Sequence, residues 1–215
     1  MTRAYPETYL DDAMNNLGDM FDYAANDCGM EIEDFFSRFI VSGIAEAFGR
    51  GNPRYVAGLS GPELAAEVVQ RTDGTRLDKP SSENIDKSAE YWAGWSLAYY
   101  QWYTAARFTT MKKDGLDIVR VLSLYNTLHE ADVSKFVTVA DAIVERSRAK
   151  RAPNIQSIHK AMGLTQKELS KNSGVSLRMI QQYEQRAKDI NKTQAASLFN
   201  IAKALGCAAE DLLEK

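Results

Sequence analysis

The sequence predicts an all-α protein. Apolar residues recur every three or four positions along most of the chain, as on the buried face of an amphipathic helix, and Leu10, Leu17 and Phe21 belong to one such series. Capping-box sequences open two of the predicted helices, at Ser60 and at Thr165. No segment has the convincing alternation of apolar and polar residues that predicts a strand.

The N-terminal two thirds of the chain are predicted to form helices separated by turn-forming sequences. A Gly- and Pro-containing stretch at 49–53 ends the second helix, the polar residues 71–82 form a loop, and Asp132 caps the last helix. The predicted helices cover residues 9–29, 31–48, 60–70, 83–110, 116–125 and 133–148.

Charge divides the chain into two parts. Residues 150–215 contain 11 Lys/Arg and 6 Asp/Glu, a net charge of +5, whereas residues 1–149 contain 15 and 23, a net charge of −8. The asymmetry indicates that only the C-terminal part contacts nucleic acid. A basic run at 146–153 ends in proline, so two domains are predicted, a helical interaction domain at 1–150 and a second domain at 151–215.

Several function classes are excluded by composition. No apolar run has membrane-spanning length, and the N-terminus lacks the features of a signal peptide, so a soluble cytoplasmic protein is expected. Cys28 and Cys207 are the only cysteines and His129 and His159 the only histidines, which predicts no metal site and no cofactor. The polar stretch 128–132 could hold a catalytic base, but a helix–helix corner explains it better, so no catalytic residue is predicted.

The last sixty residues are predicted to form five short helices. Asn154, Thr165 and Ser176 cap the first three, residues 191–194 open the fourth, and the fifth closes at 211–213. Gly174 makes the turn between the second and third helices. The residues predicted to point inward are Ile155, Ile158, Met162, Leu169, Val175, Ile180, Tyr183, Ala195, Leu198, Ile201 and Leu205.

This segment resembles the Cro/lambda-repressor (XRE-type) helix-turn-helix family over about 60 residues without a gap. The resemblance implies a five-helix, lambda-repressor-like DNA-binding domain at 151–215. The motifs that carry it are Ile155-x-x-Ile158, Gly163-Leu164-Thr165-Gln166-x-Glu168-Leu169, Ser173-Gly174-Val175-Ser176, Ile180-x-x-Tyr183-Glu184 and Ala204-Leu205-Gly206-x-x-x-x-Asp211-Leu212-Leu213.

The third helix of this segment is expected to enter the DNA major groove and read base edges. Arg178 can donate two hydrogen bonds to a guanine, Gln181 or Gln182 suits an adenine, and Leu177 can pack on a thymine methyl group. Two copies on an inverted-repeat operator are expected, which implies a homodimer on double-stranded DNA.

Five further residues are predicted to contact phosphates. In the family the glutamine that starts the second helix binds a backbone phosphate, and Gln166 matches that position. Ser176, Arg186, Lys188 and Lys192 are predicted by charge and location alone.

The chain departs from the family pattern at two places. Gln185-Arg186 stands where members often have Asn-Gly, so the end of the third helix needs another cap. His159 stands where the family commonly has an arginine paired with the glutamate that matches Glu184, so His159 is expected beside Glu184.

Residues 91–103 form an aromatic-rich stretch on a predicted helix. Most of these rings are expected in the core, because aromatic residues dominate protein interiors. Tyrosine and tryptophan are also the usual anchors of protein interfaces. A partner-binding role is therefore predicted for part of the set, namely Tyr91, Trp92, Trp95, Tyr99 and Trp102.

Tyr125-x-x-Leu128-His129-Glu130 and the aromatic helix also resemble helical proteins of bacterial toxin–antitoxin loci. Together, these features predict a sequence-specific transcriptional regulator that represses its own operon. The alternative is an antitoxin that neutralises a toxin through the N-terminal domain and regulates its own synthesis. An enzyme in the N-terminal domain is the third class considered, and the shortage of suitable residues argues against it.

Overall fold

The computed structural model describes residues 3–82 and 87–214. The chain divides into two compact units, Met1–Arg148 and Ala149–Lys215. The described residues are helical and contain no strand, which confirms the predicted all-α class. No described helix combines the length and the hydropathy needed to cross a bilayer.

The N-terminal unit is built from short helices around two longer ones, α1 and α6. A 3-10 turn, Glu7–Tyr9, precedes α1, and a π-helical turn, Tyr23–Asp27, follows it. The helices that begin in this unit are α1 Leu10–Asp22, α2 Ile32–Val41, α3 Ile44–Gly49, α4 Pro53–Val56, α5 Gly61–Asp73, α6 Ala89–Thr104, α7 Phe108–Lys113, α8 Ile118–Leu122, α9 Tyr125–Leu128 and α10 Val133–Lys150.

Two glycines let α1 and α6 approach closely. A β-carbon at Gly94 of α6 would lie 2.5 Å from the carbonyl oxygen of Leu17, and one at Gly18 of α1 would lie 2.8 Å from the ring of Tyr91. The side of α6 that is buried on α1 therefore carries small residues, and Ala93 and Gly94 are both buried there. Among the aromatic rings of α6, that of Tyr91 also meets α1, at Gly18.

A cluster of phenylalanines fills the space between α1, α2, α3 and α7. Neighbouring rings meet edge to face, with the centroids of Phe21 and Phe35 5.7 Å apart and those of Phe39 and Phe108 5.3 Å apart. These side chains are completely or almost completely buried. The helices are therefore held together by one continuous aromatic core.

Three predicted helices of this unit are wrong in extent because the backbone turns where the apolar pattern continues. The predicted helix 31–48 is interrupted at Gly43, which takes a left-handed φ of 78°. The predicted helix 83–110 ends at Thr104, because Ala105 takes a φ of 53°, and its predicted start lies outside the described residues. The predicted helix 116–125 is replaced by the shorter α8 and α9.

Helix α5 shows the opposite error, since it continues to Asp73 in the predicted loop before Gly74 ends it with a φ of 69°. Its start agrees with prediction. The Glu63 side chain accepts a hydrogen bond of 2.8 Å from the backbone N–H of Ser60, which completes the capping box.

The C-terminal unit has five helices and one 3-10 turn, Ile190–Lys192, within the described residues. A separate core surrounds Leu169, Ile180, Ile201 and Leu212, which are fully buried. The helices are α11 Asn154–Ala161, α12 Gln166–Ser173, α13 Leu177–Glu184, α14 Ala195–Ala204 and α15 Ala209–Leu212.

Several details of this unit differ from prediction. Asn154 is not a cap: α11 begins at Asn154 itself, and the side-chain amide donates to the carbonyl of Leu213 at 2.8 Å. Met162 is 50% exposed and Ala195 is also exposed, so neither belongs to the core. Helix α14 starts at Ala195, because the predicted start at 191–194 is taken up partly by the 3-10 turn.

Candidate nucleic-acid interface

The angle between α12 and α13 is fixed by local hydrogen bonds. Gly174 ends α12 with a left-handed φ of 70°, and Val175 is buried behind it. The hydroxyl of Ser170 donates to the carbonyl of Val175 at 2.7 Å. At the other end of α12, Thr165 and Glu168 form the predicted capping box, and the hydrogen bonds from Thr165 lower the pKa of Glu168.

Helix α13 has one buried face and one accessible face. Ile180 and Tyr183 are buried in the core, as predicted, and the Tyr183 hydroxyl lies 2.6 Å from Thr193 Oγ1. Arg178 is exposed. The other three residues predicted to contact bases are half-buried, namely Leu177, Gln181 and Gln182. The helix is anchored on one side and leaves hydrogen-bonding groups accessible on the other.

A buried carboxylate orients Gln166, which was predicted to contact a phosphate. Glu184 Oε2 accepts hydrogen bonds from Gln166 Nε2 at 2.8 Å and from Gln156 Nε2 at 3.2 Å. Gln166 Oε1 in turn accepts from Gln181 Nε2 at 3.4 Å. Glu184 therefore links the first turn of α12 to the accessible face of α13.

His159 completes this cluster and lies beside Glu184, as predicted. Its Nε2 is 2.8 Å from Glu184 Oε1, and the two side chains are 5% and 3% exposed. This contact does not have the geometry of a hydrogen bond. His159 Nδ1 donates to the carbonyl of Leu164 at 2.7 Å, since a carbonyl can only accept.

The other residues predicted to contact phosphates fall into two groups. Ser176, Lys188 and Lys192 line one groove of about 580 Å³ beside α13. Arg186 is instead engaged within the unit: its Nε donates to Glu214 Oε2 at 3.0 Å and its Nη1 to the carbonyl of Ala149 at 3.3 Å. The structure therefore gathers Ser176, Lys188 and Lys192 at one groove, where Asp189 also lies 3.6 Å from Lys192, and it pairs Arg186 with Glu214.

Arg186 also explains how α13 ends without the glycine that is usual in this position. Its own φ is 54°, in the left-handed region, and its backbone N–H donates to the carbonyl of Tyr183 at 3.1 Å. The arginine thus takes the backbone conformation that glycine adopts most easily.

Sequence reasoning missed Gln156, which donates to Glu184 from α11. The signal was available, because residues 156 and 159 lie three apart on one helix and therefore share a face. Nothing in the described ranges gathers three His, Cys, Asp or Glu side chains into a possible metal site.

Comparison with known families agrees with this geometry. A helix-turn-helix family model matches residues 155–212, which are 58 of the 215 residues. Residues 155–212 form a helix-turn-helix domain. The XRE-type domain predicted from the sequence is confirmed, and it supports a DNA-binding transcription regulator. This class is typically non-enzymatic.

The helix-turn-helix match does not extend to the N-terminal unit. No curated protein is significantly similar to the chain, and no solved structure is. The resemblance to proteins of toxin–antitoxin loci stays a prediction.

The aromatic residues predicted to bind a partner occupy three different environments. Trp102 is 5% exposed and its Nε1 donates to the carbonyl of Tyr5 at 2.9 Å, so this residue belongs to the core and its predicted partner-binding role is wrong. Tyr99 is half-buried and stacks on Tyr103. The remaining three line a cavity, namely Tyr91, Trp92 and Trp95.

Proposed function

We propose that this protein is a sequence-specific repressor that binds an inverted-repeat operator as a homodimer and represses its own operon. The observation that carries the proposal is the cluster in which Glu184 holds Gln166 against Gln181. It presents an oriented amide at the start of α12 next to the side chains of α13. In this arrangement the Gln166 amide can bind a phosphate while the side chains of α13 bind bases in the adjacent major groove.

The accessible face of α13 determines which bases are read. Arg178 binds a guanine through two hydrogen bonds, Gln181 or Gln182 binds an adenine, and Leu177 packs on a thymine methyl group. Because one small domain makes few contacts, specificity requires two copies whose α13 helices enter successive major grooves.

The phosphate contacts come from two sides of α13. Gln166 uses the amide hydrogen that is not donated to Glu184, because an amide group has two donors. Ser176, Lys188 and Lys192 bind phosphate from the groove that they line. Arg186 also binds phosphate when DNA replaces Glu214 as its partner, because the Glu214 side chain is only partly buried.

The test compares Arg178→Ala with Gln166→Ala on DNA from upstream of the protein's own gene and on a scrambled sequence, at fixed salt. Arg178→Ala should weaken operator binding by about 1–3 kcal/mol and relax the preference at one base pair per half-site, because it removes base readout. Gln166→Ala should weaken binding to both DNAs equally, because phosphates carry no direct base information. Lys203→Ala, on the exposed part of α14, is the control and should change neither.

Two outcomes contradict the assignment. Equal weakening of both DNAs by Arg178→Ala would make Arg178 a phosphate contact and the docking of α13 wrong. Unchanged binding in both variants would show that α12 and α13 do not carry DNA binding.

An antitoxin function is the second candidate, and one observation favours it. Tyr99 and Tyr103 are both half-buried and stack with centroids 6.1 Å apart, and the Arg3 guanidinium lies over the Tyr103 ring at 3.9 Å, so part of this aromatic pair remains accessible on α6. Tyrosine pairs of this kind suit a protein partner such as a toxin. On co-expression with the neighbouring gene product, the full-length chain should retain a partner, and changing both tyrosines to alanine should release it. Equal recovery of the partner with the double variant would exclude this surface.

A further inference from the structure

A cavity of about 320 Å³ lies in the N-terminal unit between α6, α9 and α10. Its volume is at the lower end of the range of about 300–1,000 Å³ that is usual for small-molecule sites. Its walls are mostly aromatic or aliphatic and include Trp92, Trp95, Tyr125, Leu128 and Phe136, while Lys87 and His129 also line it. A site with such walls suits an apolar molecule better than a charged one.

The aromatic walls are held in place by other rings. Trp92 meets Tyr125 and Phe136 edge to face, with each pair of centroids 5.7 Å apart. Tyr91, also in the wall, donates from its hydroxyl to Asn15 Oδ1 at 2.7 Å. Burial raises the pKa of Tyr91 to about 12, so its phenol stays neutral and keeps that hydrogen bond. Rings fixed in this way provide flat faces for stacking without further ordering.

One polar group in the cavity is unsatisfied. Ser96 lines the cavity and is 1% exposed, and its hydroxyl has no hydrogen-bond partner among the described residues. A buried hydroxyl without a partner is unfavourable, and a serine within a helix commonly bonds to a carbonyl of the preceding turn instead. Ser96 Oγ makes no such bond here, so a polar atom of a molecule in the cavity would supply the missing partner.

We propose that this cavity binds a small, planar, largely apolar molecule that forms a hydrogen bond with Ser96 Oγ. The aromatic walls select a flat molecule, the volume limits it to one or two fused rings, and the hydroxyl selects a molecule with a polar atom at its edge. This site lies within the N-terminal unit, and the inference does not depend on the proposed repressor function.

The experiment measures binding of indole and indene to the full-length chain by ligand-observed NMR titration. The two probes have nearly the same shape, but only indole has an N–H that can donate to Ser96 Oγ. We expect both to bind saturably, and we expect Ser96→Ala to weaken indole about three- to tenfold with little effect on indene. Ala131→Trp should abolish binding of both probes, because Ala131 lines the cavity and the larger ring fills it. Ser123→Ala, an exposed serine outside the cavity, is the matched control.

Three results would overturn the proposal. The first is the absence of saturable binding of either probe to the folded wild type, with folding checked by circular dichroism. The second is binding of both probes to Ala131→Trp as tightly as to wild type, which would place them elsewhere. The third is that neither probe binds, but a protein co-purifies with wild type and not with folded Ala131→Trp. That result would mean that a partner's side chain occupies the cavity.

Discussion

Glu184→Ala should lower the free energy of unfolding of the C-terminal unit by about 3 kcal/mol or more, because each buried polar group left without its partner costs about 1–3 kcal/mol. The change leaves His159 without its carboxylate in a site where its side chain is 5% exposed. It also leaves the amide groups of Gln156 and Gln166 without their shared acceptor. Few single substitutions in this unit remove so many buried contacts at once.

The measurement is amide hydrogen exchange in α12 and α13 of the full-length chain. Glu210→Ala, on the exposed side of α15, is the control and should change stability by no more than about 0.5 kcal/mol. His159→Arg should retain the pairing, because a guanidinium can also donate to the carboxylate. If Glu184→Ala lowers the free energy of unfolding no more than Glu210→Ala does, the cluster around Glu184 does not stabilise the unit.

The second large effect is expected at the α1–α6 contact. Gly94→Val should destabilise the N-terminal unit by about 3 kcal/mol or more, at or beyond the upper end for overpacked cores. Its first added carbon would lie 2.5 Å from the carbonyl oxygen of Leu17, and backbone cannot move aside as a side chain can. The two helices would have to separate along their length.

Urea unfolding followed by tryptophan fluorescence tests this prediction, because all three tryptophans lie in the N-terminal unit. Gly49→Val is the matched control. Its β-carbon would lie 3.2 Å from Nε2 of Gln101, which donates to the Gly49 carbonyl at 3.0 Å, so a smaller loss than at Gly94 is expected, because a side-chain amide can shift where backbone cannot. If the two valine variants unfold at the same urea concentration, close approach at Gly94 does not limit stability.

The helix-turn-helix domain was predictable because its signals are local. The capping box at Thr165, the glycine turn and the buried face of α13 each depend on residues a few positions apart. The proximity of His159 to Glu184 came from the family resemblance instead. Arg186 shows the limit of local rules, since the family pattern marks this position as one where glycine is common, but residue propensity alone does not predict that an arginine takes a left-handed conformation there.

The N-terminal unit was less predictable because its decisive features are tertiary. Helix α6 is apolar on nearly every side, so periodicity could not show that the face of small residues packs on α1 while several aromatic rings stay half-buried. Helix α6 ends at Thr104 because Ala105 takes a left-handed conformation, and no glycine or proline at that position predicts this end. The cavity beside Ser96 depends on how α9 and α10 pack, which no local pattern encodes.

The position of Glu184 restricts how the DNA-binding surface can diverge. The Glu184 carboxylate contacts His159 and accepts a hydrogen bond from Gln166 of α12. Gln166 in turn accepts a hydrogen bond from Gln181 of α13, the helix proposed to enter the major groove. Positions 156, 159, 166 and 184 therefore cannot vary independently, since a change at one alters what the other three require. Arg178 and Gln182 have no hydrogen bond to this cluster, so operator preference is expected to drift there first while position 181 covaries with 166.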